Sequence, residues 1–264
     1  MKRIILGLLF DGNDFYLSRN FRLQRLGDMS WLRTNFQIFD LASQVDEIAV
    51  FHVARTEVSP DFSRSLAELA EGLFVPISVG GGIRSLEDAD SLFRAGADRL
   101  MFSNCLVANP RLVNQIADKY GRQAVIGVIN FFHSQNDEIL VRRGSAGKIV
   151  TEKLDDLPLT QMTAAVGELV LQSVDRDGSG QGFPVTNLSR FMELDSWPWI
   201  VAGGFGSFEH VSQVLMDTRV QAVLTSNLLA FVGDGLMRAR RSALDLGVTL
   251  AKWELFSEDT TDAP

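Results

Sequence analysis

Two pairs of adjacent glycines, Gly81-Gly82 and Gly203-Gly204, each stand between a short apolar run and the start of an amphipathic helix. Glycine lets the backbone take positive φ and approach a ligand closely. The helix that follows points N–H groups and a partial positive charge at the same place, so an anion can be held there without basic side chains. Ser85 and Asp88 have the Ser-x-x-Asp spacing of a capping box, and Ser207 occupies the matching place in the second copy. The neighbouring runs end in hydroxyl or amide side chains, Ser103-Asn104 and Thr225-Ser226. Such glycines can serve as plain turns; two copies instead suggest two phosphates at opposite ends of one ligand. A third cluster, Asp175-Arg176-Asp177-Gly178, followed by Ser179-Gly180-Gln181-Gly182, closes another apolar run. Asp175 or Asp177 would take a proton or bind substrate hydroxyls there. The alternative is a solvated glycine-rich turn.

These groups need a frame that brings them together. Apolar runs lacking polar alternation occupy Arg3–Phe10, Glu47–Val53, Pro76–Val79, Arg99–Phe102, Ala124–Ile129, Glu168–Val174, Trp199–Ala202 and Ala222–Ser226. Strands covered on both faces read this way. Helical patterns lie between them, such as Leu86–Ala95 with Leu86, Ala89, Leu92 and Phe93 on one face. Alternating βα units in this number predict a (β/α)8 TIM barrel, in which strand C-termini carry the chemistry. Glu138–Lys153 departs from the pattern: two strand-like runs flank Gly144-Ser145-Ala146-Gly147, predicting a hairpin inserted at 138–153 after the fifth strand. Residues 76–104 and 198–227 share the order strand, glycine pair, Ser-x-Glu helix start, amphipathic helix and strand ending in Ser-Asn, which predicts an internal half-barrel duplication.

The 264 residues suit one barrel over 1–256, with 257–264 a disordered acidic tail. A net charge of −8 argues against nucleic acid or an anionic membrane as partner. The single Cys105 cannot form an intramolecular disulfide, which suits a reducing cytoplasm. Lys2-Arg3 before Ile4–Phe10 mimics a signal peptide, but the apolar run is short and ends at Asp11-Gly12, so it is expected to be a buried strand. No apolar stretch reaches the roughly 18 residues of a membrane span.

The motifs VGGGIRSLEDA, AGADR, SVDRDG and AGGFGSFEH, with Lys2-Arg3-Ile4-Ile5, resemble the cyclase (synthase) subunit of imidazole glycerol phosphate synthase over the chain to about residue 250. That family is the barrel partner of a glutaminase in histidine biosynthesis. The resemblance implies two phosphate sites for a bisphosphorylated ribonucleotide, a class-I glutaminase partner at the N-terminal barrel face, and ammonia delivered along the barrel axis. No cofactor is expected, and no His/Cys/Asp spacing suggests a metal site. The resemblance also places Leu9 and Asn130 where the family has its two catalytic aspartates, and neither side chain can act as a carboxylate base. His52 falls where an aspartate is usual, and Leu17 where the first loop has a lysine, with Arg19, Arg22 and Arg25 nearby. Sliding the first strand by two places would bring in Asp11 but breaks the match at Lys2-Arg3. Asp175, Asp177 and His52 are possible substitutes for the missing acid and base.

Arg3, Glu47, Arg99 and Glu168 begin the first, second, fourth and sixth strands and so face the N-terminal mouth. In the family, equivalent positions form a charged ring that gates ammonia; the alternative is a purely structural ion-pair ring. Leu8-Leu9-Phe10 resembles a branch associated with surface-polysaccharide genes, which supplies ammonia for amino-sugar modification, although Asn130 departs from that branch too. Three readings follow: an ammonia-handling barrel with lost or altered cyclase activity, a working cyclase using other groups, and a non-catalytic phosphate-ligand scaffold or sensor. His133 and His210 read as loop and helix-surface residues, Met237–Arg241 as a solvated face, and Trp197 and Trp199 as core.

Overall fold

The computed structural model describes residues 1–19, 21–36, 44–54, 57–145, 148–226 and 235–251. The predicted tail at 257–264, and residues 146–147 within the predicted hairpin, lie outside the described residues. Eight parallel strands close into a barrel: β1 (Arg3–Phe10), β4 (Glu47–His52), β5 (Ile77–Gly80), β6 (Arg99–Phe102), β7 (Val125–His133), β10 (Glu168–Ser173), β11 (Trp199–Ala202) and β12 (Val220–Thr225). Each pairs with the next, β12 returns to β1, and β7 joins β10 directly across the long insertion. This is a (β/α)8 TIM barrel.

Two hairpins project from the C-terminal rim. One is expected: β8 (Ile139–Ser145) and β9 (Lys148–Lys153), with β8 antiparallel to an extended β7. The other, β2 (Asp14–Arg19) and β3 (Arg22–Asp28), follows the first strand. Its tip residue Phe21 takes φ 58° without the glycine that usually marks such a turn, and residues 22–25 are exposed. Neither the turn nor a buried face announces it. The hairpins leave the first and fifth strands, equivalent positions in a duplicated half-barrel.

Helices α1 (Met29–Phe36), α2 (Pro60–Ala70), α3 (Leu86–Arg94), α4 (Cys105–Ala108) and α5 (Pro110–Tyr120) cover the first half. The capping box forms as its spacing predicts: Asp88 N–H donates to Ser85 Oγ at 3.1 Å and Ser85 N–H to Asp88 Oδ2 at 3.0 Å. Ala89 and Leu92 of α3 are buried. In the second half, α6 (Leu159–Met162) is a single turn and Val185–Leu194 is 3-10 helix, so the βα alternation is less regular than its sequence pattern suggests. α7 (Phe208–Leu215) and α8 (Gly235–Asp245) complete the wall. Among the described residues no helix is long and apolar enough to cross a membrane.

Apolar side chains fill two shells. The outer one, between sheet and helices, includes Ile4, Leu6, Leu8 and Phe10 of β1. The inner one lines the barrel axis and includes Ile5, Ala49, Met101, Ile126, Val128, Val170, Ile200 and Ala222. Trp199 is fully buried and its indole N–H donates to Leu194 O at 2.9 Å, while half-buried Trp197 packs against the same core. On α8, Arg240 corrects the expectation of a solvated face. It donates to both Asp46 oxygens at 2.9 and 3.0 Å, and Asp46 Oδ2 also accepts the N–H of Ile4 at 2.8 Å. A carboxylate nearly inaccessible to water needs such a cation, and helical periodicity alone did not place one there.

The glycine pairs take the conformation they were read for: φ is 99° and 75° at Gly81 and Gly82, and 100° and 93° at Gly203 and Gly204. A Cβ on Gly203 would stand 2.5 Å from the carbonyl oxygen of Ser173, whereas one on Gly247, at φ 79°, would meet nothing within 4 Å. Gly203→Ala should therefore lower stability by about 3 kcal/mol and Gly247→Ala by about 1 kcal/mol. Chemical denaturation checks the ranking; equal losses would contradict the close-approach role of Gly203.

Candidate functional site at the two mouths of the barrel

Successive side chains of a strand point to opposite faces, so one residue known to face the axis fixes the rest. On β1, Ile5 lies in the inner shell and Leu9 shares its face, reaching the C-terminal mouth half-buried. On β7, Ile126 and Val128 are inner residues, and Asn130 is next in that series. Its Nδ2 donates to Ser103 Oγ at 3.0 Å. Leu9 and Asn130 thus stand on opposite strands of the mouth.

His52 is on the wrong face. Ala49 and Phe51 of β4 belong to the inner shell, so His52 turns outward and packs on Phe62 of α2, ring centres 4.2 Å apart. Burial lowers its pKa, and its Nδ1 has no partner among the described residues. Asp11 is committed to the hairpin turn. Its Oδ1 accepts the N–H groups of Asn13 and Asp14 at 2.8 and 2.7 Å, and its Oδ2 accepts the Tyr16 hydroxyl at 2.7 Å. Burial works to raise the Asp11 carboxyl, but these donors outweigh it and hold the group below its usual range. Leu17 pairs with Gln24 across the hairpin, and Arg25 forks onto Asp14 at 2.7 Å, leaving Arg19 and Arg22 exposed.

The Asp175–Gly182 loop is a turn with Asp175, Gly180 and Gln181 exposed, but both of its carboxylates are engaged. Asp177 Oδ2 accepts the Ser18 hydroxyl at 2.5 Å and the Phe21 N–H at 2.9 Å, tying the β2–β3 tip to the sixth strand's end. Asp175 Oδ2 accepts the His133 N–H at 2.7 Å and lies 3.3 Å from His133 Nδ1, whose ring Nε2 meets Asn187 Nδ2 at 2.9 Å. With the Asn187 amide donating to Nε2, the ring proton sits on Nδ1 facing Asp175. His133 is thus the last residue of β7 and part of an Asp-His pair at the rim. Ser18, Asn187 and His133 are site neighbours that residue types alone did not assign.

The two glycine pairs are built alike. A Cβ on Gly81 would stand 2.4 Å from the carbonyl oxygen of His52, and one on Gly203 correspondingly close to that of Ser173, the last residue of β10. Beside the first pair, Asn104 Oδ1 accepts the N–H of Gly144 at 2.6 Å, which pins β8 to the rim. Beside the second, Gly182 N–H donates to Gly204 O at 2.7 Å, and Thr225 is buried. Ser226 faces Gly7, where any Cβ would meet its hydroxyl. His210 of α7 is half-buried over this loop and accepts the Gly206 N–H through Nδ1 at 3.4 Å. Among the described residues no group of His, Cys, Asp and Glu could hold a metal ion.

At the opposite mouth the four predicted charges close a ring. Arg3 reaches Glu47 at 3.3 Å and Glu168 at 2.6 Å; Arg99 reaches Glu168 at 2.5 Å and also contacts Glu47. Ser78 donates its hydroxyl to Glu47. Burial pushes the Glu47 carboxyl above its usual range, against the lowering effects of Arg99, Ser78 and Arg3. Above the ring the axis is apolar through the inner shell up to Leu9 and Phe51.

Comparison with known proteins identifies the family. The histidine biosynthesis protein family matches residues 35–233. The chain belongs to that family. A protein of Parasynechococcus marenigrum, provisionally named imidazole glycerol phosphate synthase subunit hisF2, is 39% identical over 97% of this chain and 96% of its own length. Imidazole glycerol phosphate synthase subunits HisF of Pyrobaculum aerophilum and Staphylococcus epidermidis are 33% and 31% identical, over 77% and 70% of this chain and 80% and 74% of their own lengths.

Two consequences can be measured. Asp177→Ala removes a charged acceptor from Phe21 N–H, so amide exchange at Phe21 should accelerate by about tenfold. Unchanged exchange would mean that the hairpin tip is held elsewhere. Arg99→Ala leaves Glu47 buried with a reduced counter-charge and should lower stability by about 3 kcal/mol in chemical denaturation. A loss below about 1 kcal/mol would mark the ring as a set of dispensable surface pairs.

Proposed function

We propose that this chain is the barrel subunit of a glutamine amidotransferase complex. It receives ammonia from a class-I glutaminase docked on its N-terminal face and holds a bisphosphorylated ligand at its C-terminal mouth. Its own cyclase chemistry is lost or altered. The carrying observation is a closed charge ring at one mouth combined with Leu9 and Asn130 at the other. Neutral ammonia can cross an apolar axis that would exclude ammonium, because stripping an ion of water in such surroundings is costly. Arg3, Glu47, Arg99 and Glu168 would gate its entry. Gly81, Gly82, Ser103 and Asn104 would hold one phosphate, and Gly203, Gly204, Thr225 and Ser226 the other. The amide of Asn130 and the hydrocarbon of Leu9 move no protons at neutral pH. The apolar end of the first strand further suits a role in which the ammonia serves a separate enzyme modifying an amino sugar.

A second reading rests on Asp175, whose exposed carboxylate at the sixth strand's end pairs with His133 on the outward face of β7. That carboxylate could supply acid-base catalysis from a new position, leaving a working cyclase. One experiment decides between them. The chain is incubated with the bisphosphorylated ribonucleotide substrate of the family's cyclase and excess ammonium salt, which bypasses the glutaminase. No turnover is expected, with activity gained in the Leu9→Asp, Asn130→Asp double variant; turnover by the unsubstituted chain would establish the second reading. Co-expression with a class-I glutaminase should give a complex, and failure to bind any would remove the amidotransferase role.

A further inference from the structure

The β8–β9 hairpin carries a cation, Arg142, that is neither in the charge ring nor among the cradle residues named above. Arg142 stands opposite Asn130 in the antiparallel pairing of β7 and β8. Directly opposed residues project to the same side of a sheet. Asn130 faces the mouth, so Arg142 leaves the hairpin on that face as well. Its guanidinium lies 5.2 Å from the centre of the Phe21 ring at the β2–β3 tip. The adjacent Arg143 projects to the other side and is neutralised by Glu152 at 2.5 Å. Arg142, half-buried, forms no ion pair among the described residues. Stacking on an aromatic face positions a guanidinium while using none of its five N–H donors.

Its surroundings complete the picture. Asn130, its cross-strand partner, holds Ser103 at 3.0 Å, and Asn104 Oδ1 pins Gly144 two residues beyond Arg142 at 2.6 Å. The backbone that carries Arg142 is thereby held beside the hydroxyl and amide of the first cradle, within the length of an arginine side chain. A guanidinium binds phosphate bidentately and more strongly than neutral donors do.

We propose that Arg142 is a binding and specificity-determining residue, which grips the ligand phosphate seated in the first cradle and selects for a dianion at that end. This rests on the two-cradle reading above. Because Phe21 stacks on the same guanidinium, the β2–β3 tip forms the outer wall of this subsite.

Calorimetric titration with inorganic phosphate tests it, using three variants. Two independent phosphate sites are expected in the unsubstituted chain. Arg142→Gln should weaken one of them at least tenfold and leave the other unchanged, with Arg142→Lys intermediate. Ser207→Asp keeps a good helix cap while adding negative charge at the second cradle, so it should weaken the other site alone. Two sites of unchanged affinity in Arg142→Gln would overturn the assignment while leaving the cradles standing. If the unsubstituted chain binds no phosphate, or Ser207→Asp binds it equally well at both sites, the cradle reading fails and the role of Arg142 with it. Equal weakening of both sites in Arg142→Gln would also overturn the assignment, because it marks a general structural effect.

Discussion

Closure of the parallel sheet, through the pairing of β7 with β10, is the constraint from which the site follows. In an open sheet a side chain has the choice of two faces with neighbours on each. In a closed barrel one face becomes a narrow axis, so every second residue of each strand must enter a shared space. That space is filled in the middle by Ile5, Ala49, Val128, Val170 and Ala222. Charged residues obeying the same alternation are confined to its ends. Arg3, Glu47, Arg99 and Glu168 meet at one end because each starts its strand on the inner face. Leu9 and Asn130 meet at the other because they lie an even number of residues beyond Ile5 and Ile126 on theirs.

The same parity explains what could and could not be read from residue types. The barrel strands were legible because two-faced burial leaves an uninterrupted apolar run, and most boundaries fell within a residue or two. The fifth strand was the exception, since its extension through Phe131–His133 exists only because β8 pairs with it. His52 looked like a replacement for a lost aspartate, yet it lies five residues from Glu47. An odd separation on one strand means opposite faces, so placing Glu47 in the ring already excluded His52 from the mouth. That inference needed only counting. The β2–β3 hairpin needed more: its exposed strand and glycine-free tip carry no local signature, and what holds the tip is Asp177, distant in sequence.

The mouth is also more committed than its composition suggests. Asp177 and Asp11 resemble spare carboxylates, but one fastens the hairpin tip and the other its root. Asp175 retains a side chain more than one-third exposed, and its histidine partner, three residues past Asn130, lies on the outward face of β7. The glycine pairs, by contrast, are alike across the two halves in their positive φ and in the carbonyl that forbids a side chain. This tight turn is duplicated and carboxylates at the axis are not.

The ring at the opposite mouth has an electrostatic property that its individual ion pairs do not reveal. Two guanidinium groups alternate with two carboxylates around a closed circuit, so their formal charges cancel. Opposed dipoles cancel as well, which leaves a quadrupole whose potential dies away far faster with distance than that of a lone charge. Such an arrangement is felt by a molecule within the opening and hardly at all by one approaching it. It neither gathers counter-ions nor responds strongly to the −8 carried by the rest of the chain.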